Sequence, residues 1–528
     1  MIKQLCSMFM MVGVSLAAHS SLAQEAAPSS NQSTQMDSAE IVVPPSSLRP
    51  ELSKAYGIVM LDYQVVPVSG NQSIDLIGFH LLNQMNDSLY LGVGGYAPLL
   101  NGEYGGFMAF DVNAHVQHKI VGNVFVDGGL SAGGGGGGKS VQHSKILSGT
   151  GGFYKGYLGL GYELKDFSFG VNVAKIKFIN SAIDHSQLNL YFQVPFSYPL
   201  GSYASSGGAL SPPVMSNMQA DLTDSGENIM TIGLDNFSQI KPEGLNKGVI
   251  NLADLQFSHF VSRNNYAFFG PGVGVRGLPL YNQVLGGFGR RVQLSPRVNV
   301  LGQIALGSGG YAPDTMNTGA GLLVYPKLSV EYLLDKNFGV ALSGGYMLAP
   351  TGSSKNYTFG AALNYHIHSL PDDLGIDAAA GGFYRGYRIN LFQQTETQVT
   401  FKNKARGEIN LLSLQVDNLV DEYIYIPMQI AVAYSAYLGY PGYGELLTGV
   451  GLQNKFSKDS QHQVFGQLLV GTNVHGPILK YGVGLNYGLN DRLAIYGLAG
   501  QTLALDKVKF KTDYLGLGVT YRFSVPGW

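Results

Sequence analysis

From Asp513 to Phe523 the chain alternates without a slip. Leu515, Leu517, Val519, Tyr521 and Phe523 fall on one side, and Tyr514, Gly516, Gly518, Thr520 and Arg522 on the other. A period of two is the signature of a β-strand with one apolar face and one small or polar face. The pattern recurs along the chain. Between residues 55 and 200 it predicts strands near 55–67, 73–83, 88–97, 104–118, 121–132, 152–164, 167–178 and 187–198.

Two signals show the chain repeating itself. A tight-turn motif occurs as Tyr162-Glu-Leu-Lys-Asp-Phe167, Tyr332-Leu-Leu-Asp-Lys-Asn-Phe338 and Tyr487-Gly-Leu-Asn-Asp-Arg-Leu493, with spacings 332 − 162 = 170 and 487 − 332 = 155. Asp, Asn and Lys between two alternating runs make short hairpin turns. Upstream, the segments Ser73–Phe79, Val249–Phe257 and Glu408–Val416 align on Asp75, Asn251 and Asn410, spaced 251 − 75 = 176 and 410 − 251 = 159. A unit used three times accounts for both. Eight strands per unit gives about 24, within a range of roughly 22 to 26.

The units span about 55–200, 229–368 and 385–523 of a barrel region that covers 55–528. The expected fold is all-β: an antiparallel transmembrane β-barrel of about 24 strands. One wide barrel is the favoured closure, because the connection after His368 is short and no unit shows a clear independent end. Three serial eight-stranded barrels are the alternative. Tyr90-Leu-Gly-Val-Gly94, Tyr157-Leu-Gly-Leu-Gly161 and Tyr514-Leu-Gly-Leu-Gly518 put Tyr and Gly on the inner face, which suits filled small barrels equally well.

Composition assigns the apolar faces to lipid. Charged residues make up 13% of the chain, and there are 72 Gly, 32 Tyr and one Trp in 528 residues. Soluble domains carry about a quarter charged residues, and Gly disfavours helix by about 1 kcal/mol relative to Ala. Lys3, an uncharged stretch from Leu5 to Ala18 and Ser21-Leu22-Ala23 read as a signal peptide over 1–23. Residues 24–54, rich in Ser, Pro, Ala and Gln, read as a flexible periplasmic leader and a place for a periplasmic partner. The only cysteine, Cys6, lies in the signal. Disulfides, thiol catalysis and cysteine metal sites are therefore excluded from the mature chain. Loss of Lys3 takes the net charge from −2 to −3, which offers no field for nucleic acid.

The pattern Gly518-x-x-Tyr521-x-Phe523 resembles the C-terminal assembly signal of Gram-negative outer-membrane β-barrels. Leu489-Asn-Asp-Arg-Leu-Ala-Ile-Tyr496 is similar to the short periplasmic turns of small members of that class. The resemblance implies a place in the outer membrane and, as partners, its lipid, lipopolysaccharide and the assembly machinery. If the turn at Asn490 and Asp491 is periplasmic, an even strand count puts both termini on the periplasmic side.

Motifs with chemistry are few. Gly133 to Ser140 spells a phosphate loop, but no helical stripe follows it, so it reads as a glycine hairpin loop. Ser38–Pro44 faintly resembles the energy-coupling box of TonB-dependent receptors, yet strand alternation begins by Tyr56 and leaves no length for a plug domain. His259 and Ser262 point to opposite faces of a strand, and His366 with His368 supplies only two ligands. No catalytic residue, cofactor or metal is expected. Arg290, Arg291, Arg297, Arg385, Arg388 and Arg522 are candidate lumen or rim charges, with rim contacts to phosphates or lipopolysaccharide preferred. The expected function is a gated or plugged outer-membrane conduit of unknown substrate; the rival is a scaffold or adhesin that displays loops and transports nothing.

Overall fold

The computed structural model describes residues 52–527 apart from 69–71, 140–146, 148, 210–226, 241–248, 277–280, 311–315, 336, 367–382, 403, 406, 436–441, 456–460 and 506–509. The signal and nearly all of the leader lie outside the described residues, as does His368. The described chain is all-β, with 24 antiparallel barrel strands in three eights. In the first unit, every strand end falls within four residues of the alternation pattern.

Each eight closes on itself. β1 (Ser53–Val68) pairs with β8 (Asp184–Leu200) from Ser53↔Leu200 to Gln64↔Asn189. β9 (Asn228–Gln239) pairs with β16 (Lys355–His366), and β17 (Phe383–Phe401) with β25 (Lys511–Gly527). A two-residue strand, β18 (Lys404–Ala405), adds a short rung to the end of β17. The favoured single wide barrel is therefore corrected to the alternative, three eight-stranded barrels in one chain.

The reason lies on the inner faces. An eight-stranded barrel has an interior just wide enough for side chains to fill it, and these side chains need the opposite wall. In the third barrel the Tyr425 ring of β20 (Ile424–Ala433) lies over Gly451 of β21 (Gly444–Gln453), where a Cβ would sit 2.0 Å from a ring carbon. Tyr157 covers Gly129 and Tyr266 covers Gly289 in the same way. In a 24-stranded barrel such rings would face open water.

Most connections at one end of each barrel are tight turns of two to four residues, at 85–88, 261–264, 334–337, 420–423 and 489–492 among them, and most longer connections lie at the other end. At the short end, Asn86, Asp335, Asp421 and Asn490 each accept two backbone amides across the turn through a side-chain oxygen. These side chains mimic the missing backbone acceptor, which is why Asx residues stand there. The Arg492 guanidinium donates to Ser53 Oγ at 2.9 Å, so the start of the first barrel and the last short turn share one end.

The barrels stand around a common axis. Val59 and Leu81 of the first, Phe257 and Tyr365 of the second, and Tyr387, Val416 and Phe523 of the third share one buried apolar cluster. The glycine run read as a loop is partly strand: Gly133–Gly136 belong to β5 (Val124–Gly136). A Cβ on Gly134 would lie 2.6 Å from the Ala433 carbonyl oxygen, so the first and third barrels approach there at backbone distance. Away from the axis the outer arcs expose Leu158, Val173 and Leu188, Ile304 and Leu342, Val483, Leu515 and Leu517.

The last strand departs from its expected uniform lipid face. Leu515 and Leu517 are 64% exposed, but Tyr521 and Phe523 are 3% and 4% exposed because a neighbouring barrel covers that end.

Candidate functional site

A lysine occupies the sixth strand of each barrel: Lys155 on β6 (Gly152–Glu163), Lys327 on β14 (Leu322–Leu333) and Lys480 on β23 (Gly476–Gly488). The spacings, 327 − 155 = 172 and 480 − 327 = 153, follow the repeat. All three point inward on alternating strands and reach carboxylates across the lumen. Lys155 meets Asp62 and donates to the Tyr96 hydroxyl at 3.1 Å. Lys327 Nζ donates to Asp235 Oδ2 at 2.8 Å, and the Tyr325 hydroxyl donates to the same oxygen at 2.9 Å. Lys480 Nζ lies 2.6 Å from Glu445 Oε2 and 3.7 Å from Glu396 Oε1.

Burial sets the energetics of these pairs. Removing water from a charge costs several kcal/mol, and a close counter-ion with further hydrogen bonds offsets that cost. Lys480, Glu396 and Glu445 all have buried side chains, and the Gln394 side chain accepts a further bond from Lys480 at 3.0 Å. His80 adds to the first cluster, 3.3 Å from Asp111 Oδ2.

Residues 201–209, which follow β8, lie against the short-turn end of the third barrel. Their 3₁₀ turn, Tyr203–Ser205, sends Tyr203 into the third barrel, where the hydroxyl donates to Gln463 Oε1 at 3.3 Å. Backbone pairing holds this segment in place: Gly201 N donates to Ser524 O at 2.8 Å and Gly207 N to Tyr384 O at 2.7 Å. Farther along, Glu227 closes the second barrel, with Oε2 2.6 Å from Arg291 Nη1 and Oε1 2.8 Å from His366 Nδ1. His366 also reaches Glu331 at 2.9 Å.

The six candidate arginines do not share a surface. Arg388 is buried in the third lumen, with Nε 3.0 Å from Asp417 Oδ2 and the guanidinium stacked over Tyr425. Arg291 lies inside the second mouth. Arg522 stands at the third mouth and donates to the carbonyls of Asn490 and Asp491. Arg385 bridges two barrels, donating to the Tyr365 hydroxyl at 3.0 Å. Arg290 is exposed on the outer wall beside Phe288, Ile304 and Leu328, and Arg297 is exposed at a short turn. His259 bonds Asn228, while Ser262 accepts from Asn265 in a turn, so the two do not form a catalytic set. Of the assembly-signal residues, Gly518 packs against the Leu391 carbonyl, while the Tyr521 and Phe523 rings meet at 5.5 Å with their planes tilted by 40°, in the inter-barrel cluster.

The lumen lysines and Tyr203 escaped the reading of the sequence. The lysines could have been found: each sits on the inner register of a strand at the repeat spacing. Tyr203 carried no such mark, because its partner barrel lies about 180 residues downstream.

No family model and no curated protein matches this chain. Among solved structures, the siderophore receptor PirA from Pseudomonas aeruginosa aligns over 90% of this chain and 81% of its own at 9% identity, with a TM-score of 0.23. OccK5 (OpdH) of Pseudomonas aeruginosa aligns over 90% and 99% at 12% identity, TM-score 0.19. The KdgM porin, crystallised with disordered oligogalacturonate, covers 55% of this chain and 98% of its own at 10% identity, TM-score 0.16. Overlaps of this size decide nothing about the chain, and its function is argued from its own residues.

Proposed function

We propose that this chain is an outer-membrane protein of a Gram-negative cell and forms a conduit closed at rest, with three narrow lumens in place of one wide bore. The outer arcs of exposed Leu, Ile and Val support the membrane placement, since a soluble monomer rarely carries apolar surface on that scale. The C-terminal Gly518, Tyr521 and Phe523 support delivery by the outer-membrane assembly machinery, and exposed Arg290 and Arg297, on the half of the wall toward the short turns, suit the phosphates of periplasmic-leaflet lipid rather than lipopolysaccharide. On this reading the short-turn end is periplasmic, and a periplasmic partner would be met through the 24–54 segment.

The polar character of the lumens carries the transport reading. These interiors hold Lys, Arg, His and carboxylates together with neutral polar side chains. They also hold side-chain atoms with no bonding partner among the described residues: both amide atoms of Asn189, Asn113 Nδ2, Glu396 Oε2 and Asn486 Nδ2. Such atoms call for water, and a hydrated path broken by an ion-pair plug is what a gated small-solute or ion route requires. A barrel of this size excludes large or extended cargo.

Planar-bilayer recording tests the proposal. Wild-type protein should insert with small or rare openings, and Tyr203→Ala, which uncaps the third mouth, should open more often. The scaffold reading is favoured by the same filled interiors. It prevails if wild type, Tyr203→Ala and Lys480→Met all insert folded and remain electrically silent.

A further inference from the structure

We propose that the gap between the three barrels is a binding site for a long acyl chain, held as a structural lipid on the common axis. The proposal rests on the membrane reading above. The gap has a volume of about 540 Å³ and is lined by all three barrels. Its walls are equivalent positions of the second strand of each unit: Phe79 and Leu81, Leu255 and Phe257, Leu414 and Val416. The repeat that aligns Asp75, Asn251 and Asn410 brings these pairs into register, so the chamber has threefold pseudo-symmetry built from a single chain.

The walls cannot collapse inward. Each belongs to a closed barrel with a filled interior, and the barrels are held at fixed spacing. At the loop end, Gly105 N donates to the Gly319 carbonyl at 3.0 Å and Leu322 N to the Leu99 carbonyl at 3.1 Å. Nearer the middle, the Phe79 and Phe269 rings stack across the first and second barrels at 5.8 Å. The space must therefore be filled by something else.

Water is a poor occupant, because an apolar cavity of ~150 Å³ stays dry and takes one benzene instead. By that scale 540 Å³ accommodates on the order of twenty carbons, the size of one long acyl chain. The chamber runs between strands whose outward neighbours face membrane, so acyl chains are the apolar molecules at hand. A phospholipid and a free fatty acid present the same chain, and they differ in the headgroup that lipid extraction recovers.

Full-length protein is extracted from native membranes and exchanged into a sterol-based detergent, which has no acyl chain. Native mass spectrometry and lipid extraction then identify what remains bound. We expect about one acyl-bearing molecule per chain, its headgroup or bare carboxylate naming the source. Gly286 lines the chamber, and a Cβ there meets only the Phe268 carbonyl at 3.4 Å and the Phe269 ring at 3.9 Å. Gly286→Phe should fill the space and cut retained lipid more than tenfold, whereas Leu342→Phe on the outer arc should leave it unchanged. If Gly286→Phe does not fold, Leu414→Trp performs the same filling from another wall.

Wild type that needs detergent yet keeps no acyl lipid overturns the proposal. So does a folded, filled variant that keeps as much as wild type. Protein that stays monodisperse without any detergent instead removes the membrane reading itself.

Discussion

Lys327 Nζ sits 2.8 Å from Asp235 Oδ2 although 92 residues separate them along the chain. The two stand on the sixth and first strands of the second barrel, and only closure into a narrow cylinder brings those walls within reach of one side chain. Lys155 with Asp62 and Lys480 with Glu396 repeat the relationship in the other barrels. Barrel width and lumen chemistry are thus one fact: the inner residues are chosen for an opposite wall.

Removing one member of such a set leaves an uncompensated charge. Lys480→Met leaves Glu396 and Glu445 facing each other without a cation, and breaking a buried pair costs about 3–5 kcal/mol. Heat-modified mobility on gels should show the third barrel melting well below wild type. Adding Glu445→Gln to Lys480→Met should recover much of the loss, because the remaining groups are closer to neutral.

The outer arcs give a test of the solvent they touch. Leu342 is 71% exposed and lies mid-way along β15 (Phe338–Leu348). A lysine at the bilayer midplane on a barrel's lipid face costs about 2–4 kcal/mol. Leu342→Lys should lower stability by that amount in urea titrations of vesicle-reconstituted protein. A change within about 0.5 kcal/mol, normal for a water-facing position, would place that arc in water.

Strand positions and the eightfold unit were legible because period-two alternation is a local property, and tight turns mark themselves with Asx residues such as Asp335 and Asn490. Closure was not local. Whether β8 pairs with β1 or with β9 depends on edges far apart in sequence, and the connection after His368 gave no sign of either. The inner faces did hold the answer. Tyr157 and Tyr514 beside inner glycines, with lysines at the inner register, fit a filled cylinder, but a wide barrel also tolerates small inner residues, so the pattern alone did not decide it. Arg388 illustrates the remaining limit: the sequence favoured a rim position for it, whereas its place in the lumen, its partner Asp417 and the stack on Tyr425 required the fold.

Ring-over-glycine packing makes a double-substitution test. Gly451→Ala drives a methyl into the Tyr425 ring, since the Cβ position is 2.0 Å from a ring carbon, and overpacking of this kind costs about 1–3 kcal/mol. Tyr425→Ala alone empties the site at about 3–5 kcal/mol. If the two residues touch as described, the double variant should be more stable than the sum of the single losses implies, by at least 0.5 kcal/mol. Additive losses would mean that the ring lies elsewhere.

Closure of the first barrel can be tested chemically, because Cys6 is the only cysteine in the sequence and can be replaced by Ser in every variant. Leu61 and Phe192 are paired across the β1–β8 seam with both side chains on the outer wall, and paired strand positions lie within the ~4.4–6.8 Å Cα separation that a disulfide spans. Leu61→Cys with Phe192→Cys should oxidise in folded protein and produce a species that migrates differently from its reduced form. Leu342→Cys with Ala361→Cys, paired within the second barrel between β15 and β16, should oxidise as well and reports that the reagent reaches paired strands. If the second pair bridges and the first does not, β1 and β8 are not neighbours. The lumen ion pairs would then lose the opposite wall on which they depend.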